Sequence, residues 1–131
     1  MNDNEEAVEL LSISARELRS LKAMLSAEIA DEVFGFVAQQ AIETSLKAWL
    51  CALGVRYPFT HDLQELAALL GDNEVELDAL PRFADLNPYA VEFRYSSRPR
   101  PALDRAEVVS RVEAVLAQAR QRIVPESALE A

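Results

Sequence analysis

The chain has 131 residues, half of them hydrophobic, with only three glycines and a formal net charge of −9. That length suits one domain with a packed core, and that composition excludes a disordered chain. No apolar run approaches the ~20 residues that span a bilayer, and the acidic balance speaks against a general nucleic-acid binder, DNA included, because such affinity comes from lysines and arginines on phosphates.

The first predicted helix covers about residues 5–28, where Val8, Leu11, Ala15, Leu18, Leu21 and Leu25 recur at three- and four-residue steps. The opening MNDNEEAVEL is acidic where a secretory signal would be basic, so a cytoplasmic location is expected. A second helix is predicted over about residues 31–53, with Asp31 as its N-cap and Gly54 as the left-handed residue that ends it. Val33, Phe34, Phe36, Val37, Ala41, Ile42, Leu46, Trp49, Leu50 and Leu53 cover more than one of its faces, which makes it the central helix. Its Cys51 is the sole cysteine, without an intrachain partner, which fits a reducing compartment.

Tyr57-Pro58 interrupts helical geometry, Thr60 is the expected N-cap of a short third helix, and Leu63, Leu66, Ala67 and Leu70 form its inner face. Gly71-Asp72-Asn73 closes that helix. Between Val75 and Phe93, Pro81 and Pro88 divide the chain into two short helical pieces, with Asn87 capping the second. Residues 96–101 are a proline-rich loop, a last helix starts near Asp104, and the tail after Pro125 is expected to fray. The fold class is all-α: an up-and-down bundle of four or five helices in a single domain, its core spanning about residues 5–124.

The chemistry-bearing residues are few. One histidine and one cysteine leave no conventional zinc set, and no phosphate-binding or nucleophile-elbow motif occurs. No metal and no cofactor is expected. Arg56 and His61, five residues apart, are a candidate catalytic pair, the arginine holding a phosphate and the histidine moving protons. Glu43 and Lys47 stand four apart in the favourable order for a helical ion pair, and on a mostly buried helix that points to an interface or a pocket edge, together with Trp49. Arg94, Arg98, Arg100 and Arg105 make a basic spot on an acidic chain, and Arg94, Tyr95 and Arg98 are candidates for binding phosphate or a nucleotide.

The blocks AQQAIETSLKAWL, PFTHDL and LNPYAVEFRY, in that order, resemble the HEPN family of small helical domains, over about residues 7–123. They are most similar to the branch often encoded beside a minimal nucleotidyltransferase. The resemblance implies a homodimeric bundle of about five helices and a toxin–antitoxin or nucleotidyltransferase-associated role. It also implies RNA or a nucleotide as ligand. Active members are metal-independent endoribonucleases with an arginine four to six residues before a histidine, which Arg56 and His61 match in spacing. Three features depart from that pattern. Tyr57 follows the arginine where Asn, Asp or His is usual, the motif precedes the third helix instead of lying late in the chain, and Asp62-Leu63 replaces the extension that receives AMP in some members. The expected function is therefore a homodimeric partner or substrate-binding component of a minimal nucleotidyltransferase. An endoribonuclease using Arg56 and His61, or a nucleotide-binding module without chemistry, are the alternatives.

Overall fold

The computed structural model describes residues 2–76, 85–91, 93 and 101–123. They form four α-helices, α1 (Asp3–Ala23), α2 (Asp31–Ala52), α3 (Leu63–Asp72) and α4 (Arg105–Arg122), with a 3-10 turn at Asn87–Ala90 and no strand. This is the all-helical bundle expected from the periodicity. Residues 77–84 of the expected first short helical piece, residues 96–100 of the expected loop and the tail from 125 lie outside the described residues.

Three of the four helices start at a side chain that accepts from their free amides. Asn2 caps α1 by accepting from the Glu5 amide, and Asp104 caps α4 by accepting from the Glu107 amide. The α3 cap is Asp62, whose carboxylate accepts from the Gln64 and Glu65 amides, not Thr60 as the sequence suggested. A carboxylate at the positive helix end is the stronger acceptor, and the Thr60 hydroxyl instead accepts from the Asp62 amide and donates to Glu65. Ala30, not Asp31, precedes α2, and its side chain makes no cap. Asp31 is drawn sideways, its carboxylate accepting from the Leu103 amide and the Arg105 guanidinium.

That same arginine explains why α1 stops at Ala23 rather than near residue 28. Arg105 donates to the carbonyls of Met24, Ala27 and Ile29, holding the α1–α2 connection open in a non-helical path, and its guanidinium lies 5.1 Å from the Phe34 ring centroid. The C-terminal end of α2 is a Schellman turn. Gly54 sits at φ +73°, its amide donates to Cys51 and the Val55 amide to Leu50. The end of α3 repeats this pattern without a glycine. Glu74 takes φ +65°, with its amide on Gly71 and the Val75 amide on Leu70.

α1 and α2 are antiparallel, as shown by Cys51 reaching the Asp3 carbonyl and Ser14 reaching the Ala41 carbonyl and the Ser45 hydroxyl. The segment 53–62 then runs back along α2, so α3 starts beside Gln39 and ends near Trp49. α4 runs in the same sense, from Asp31 at the start of α2 to Gln118 near Trp49. Phe34, Ile42, Leu46, Leu50, Leu63, Leu66, Leu70 and Val112 are fully buried between these elements, each contributing about 1.5–3 kcal/mol of apolar burial. Gly35 lets the 3-10 turn approach α2: a Cβ there would lie 2.3 Å from the Tyr89 ring. Tyr89 in turn packs edge-on against Phe93, with ring centroids 4.7 Å apart.

Candidate functional site

The buried polar residues of α2 converge on the start of α3. Gln39, fully buried, donates from Nε2 both to Glu43 Oε1 at 3.0 Å and to the His61 carbonyl at 2.8 Å. Gln40 donates to Gln39 Oε1 and so fixes that amide. Lys47 Nζ donates to Glu43 Oε2 at 2.8 Å, which is the helical ion pair expected from the spacing, and also lies 5.6 Å from the Tyr57 ring centroid. The third partner of Glu43 comes from outside its helix. His61 Nδ1 lies 3.0 Å from Oε1 and 3.2 Å from Oε2.

This geometry selects a tautomer. An ionised carboxylate only accepts, so Nδ1 carries the proton and donates, and Nε2 is left as the acceptor of a neutral ring. The ring is half exposed while the Glu43 side chain is 6 % exposed. A buried carboxylate therefore orients a histidine at the surface. Beside the ring, with Asp62, Asn87, Pro88, Ala90 and Val91, lies a groove of about 350 Å³. Asn87 builds that groove by bridging two elements: its Oδ1 accepts from the Leu63 amide and its Nδ2 donates to Asp62. Asn87 is expected to cap its own short helix, but the amide it satisfies belongs to α3, 24 residues away. Phe59, fully exposed, presents its ring edge-on to His61 at 6.2 Å.

Glu17 adds a second carboxylate to this polar seam. Burial pushes its carboxyl up to about 7, with the neighbouring Glu43 charge adding to that effect and the Thr44 hydrogen bond and Arg16 opposing it. Its Oε1 is out of solvent and has no hydrogen-bond partner. Nothing in the sequence spacing singles out Glu17, because its neighbours Thr44 and Glu43 lie on another helix.

Arg56 is exposed and lines a different groove, of about 490 Å³, with Asp3, Glu6, Cys51 and Tyr57. The return segment therefore carries its arginine and its histidine to separate sites. In the Arg56 groove the ligand atoms of Asp3, Glu6 and Cys51 lie within 4.8 Å of one another. Burial pushes the Cys51 thiol up to about 11, helped by the charge of Glu6, a hydrogen bond with Glu6 and the charge of Asp3. The protonated thiol donates to the Asp3 carbonyl at 3.3 Å, and a thiol held protonated is a poor metal ligand.

Trp49 lies away from Glu43 and Lys47, on a third groove with the ends of α3 and α4. Arg94, Tyr95 and Arg98, read as phosphate or nucleotide binders, lie outside the described residues, as does Arg100. The fourth arginine of that basic spot, Arg105, serves the α1–α2 connection instead: it is a charged residue in sequence and a structural brace in space.

Four helices around an apolar centre, with a polar seam ending at one oriented histidine, define a small helical-bundle domain. The HEPN domain model matches residues 7–122, and the chain belongs to that family. No curated protein and no solved structure matches the chain. Among the described residues no helix is long and apolar enough to cross a membrane.

Proposed function

We propose that the chain is a binding component of a two-protein system, a homodimeric HEPN protein in the cytoplasm that partners a minimal nucleotidyltransferase of the toxin–antitoxin kind. One observation carries this reading: His61 is oriented by Glu43 over one groove while Arg56 lines another. Cleavage of a phosphodiester by an arginine–histidine pair needs both groups on the same phosphate. Within one copy the geometry thus favours recognition over cleavage. The His61 groove, with the exposed Phe59 ring at its rim, is the surface offered to a ligand or partner, and Arg94, Tyr95 and Arg98 are the residues assigned to phosphate or nucleotide. Co-expression of the tagged chain with a nucleotidyltransferase encoded beside it tests the proposal. A complex retained through gel filtration and weakened by Phe59→Ala supports it, and a chain that elutes alone as a monomer contradicts it.

A second reading rests on the tautomer. A histidine whose Nδ1 is held by a carboxylate presents Nε2 as a general base, which is what an endoribonuclease would use to activate a ribose hydroxyl. A second copy of the chain would then have to supply the arginine. RNA incubated with the protein in EDTA separates the two readings: cleavage abolished in His61→Ala supports the ribonuclease, and RNA left intact by the wild type refutes it.

A further inference from the structure

Three buried side-chain polar atoms among the described residues have no hydrogen-bond partner: Glu17 Oε1, Trp49 Nε1 and Gln118 Oε1. Two of the three belong to residues that line one groove, of about 460 Å³, far along α2 from His61. Trp49 is 6 % exposed, so its indole N–H is a donor removed from water with nothing to receive it. Gln118 brings an acceptor in the same condition from α4. Buried polar groups in native proteins are paired as a rule, and an orphaned donor and an orphaned acceptor just beneath the surface of one groove, on two of its lining residues, ask for a partner.

The electrostatics of the groove limit what that partner is. The C-terminal ends of α2, α3 and α4 all point to this end of the bundle, and each carries a partial negative charge. Among the described lining residues, Glu74 and Glu76 stand against one cation, Arg122. Such a field repels phosphates and carboxylates and accepts neutral or cationic groups. Glu74 and Glu76 are both exposed, so the acidic side of the groove faces solvent.

We propose that this groove is a second binding site, separate from the His61 groove, for a small uncharged molecule with an amide-type edge, one acceptor beside one N–H donor. Its acceptor takes the Trp49 indole N–H and its donor goes to Gln118 Oε1. Carboxamides and the amino edge of a nucleobase both present that edge, and the field of the helix ends favours a nucleoside over its nucleotide.

Trp49 is the chain's only tryptophan, so its fluorescence and its single indole N–H resonance read the site directly. The experiment titrates the full chain with nicotinamide, adenosine and AMP. The expected result is a saturable shift of the indole N–H resonance with nicotinamide or adenosine, and weaker binding of AMP than of adenosine. Trp49→Phe keeps the ring and loses the donor, and Gln118→Leu loses the acceptor. Each is expected to weaken the better probe about tenfold, the loss of one hydrogen bond, measured by calorimetry, with unchanged helical circular dichroism as the check on folding. No binding of any probe, or unchanged affinity in both variants, overturns the proposal. AMP binding more tightly than adenosine overturns the charge argument and with it the assignment. His61→Ala is expected to leave this binding unchanged, which separates the site from the proposed partner surface.

Discussion

The Nδ1 of His61 lies 3.0 Å from the Oε1 of Glu43, a residue 18 positions earlier and buried in α2. Glu43 also receives Lys47 and Gln39, so it is the hub and His61 the rim. Glu43→Ala is expected to lower the folding free energy by about 2–4 kcal/mol, since it strands a largely buried ammonium and a buried amide. His61→Ala removes a half-exposed ring and is expected to cost about 1 kcal/mol or less. Urea denaturation of both variants checks the asymmetry, and equal costs would mean that Glu43 does not organise the seam.

Gly35 is the point where α2 admits the Tyr89 ring. Gly35→Ala raises intrinsic helix propensity by about 1 kcal/mol, but its Cβ would sit 2.3 Å from a ring carbon. The net expectation is destabilisation by about 1–3 kcal/mol. Adding Gly35→Ala to a Tyr89→Ala background is expected to cost nothing further, because the ring it collides with is gone. Thermal melts of the two single variants and the double variant measure this coupling.

The Glu17 carboxyl is raised from its ordinary value to about 7, chiefly by burial. From about pH 4.5 to about pH 7 the folded chain holds a proton there that the unfolded chain has released. Stability on account of this group therefore falls as pH rises through that window. Glu17→Gln is expected to remove the decline. Allowing for solvent screening of a partly buried side chain, the variant should gain about 1 kcal/mol on the wild type at pH 7.5 and nothing at pH 4. Melting temperatures of both proteins across that range provide the check.

Glu74 closes α3 in the left-handed region at φ +65°, a conformation that favours glycine. Glu74→Gly is expected to stabilise the chain by about 0.5–1 kcal/mol, whereas Gly54→Ala, at φ +73°, should destabilise it by about 1 kcal/mol. Opposite signs at two helix ends of the same type, read by chemical denaturation, test the shared Schellman geometry.

The helices were legible because their apolar residues recur at helical spacing, and so was the Glu43–Lys47 pair, because an i,i+4 interaction is local. The HEPN resemblance was legible in three blocks that the family match spans. What was hidden is non-local. Asp31 looks like a cap until Arg105 and Leu103, more than seventy residues on, claim its carboxylate. Thr60 and Asp62 compete for one helix start, and the choice falls to the carboxylate. Asn87 reads as the cap of its own turn and serves α3 instead. The pairing of His61 with Glu43, the buried state of Glu17 and the unpartnered Trp49 N–H all depend on which helix faces lie together. A single sequence does not carry that information.

In the proposed function this HEPN chain works as a dimer and a partner, with His61 on a recognition surface. Sedimentation velocity of the purified chain, alone and mixed with a candidate minimal nucleotidyltransferase, is the direct test. The expected result is a dimer for the chain alone and a faster-sedimenting complex in the mixture that His61→Ala or Phe59→Ala weakens. A monomer whose sedimentation is unchanged by the nucleotidyltransferase would contradict it.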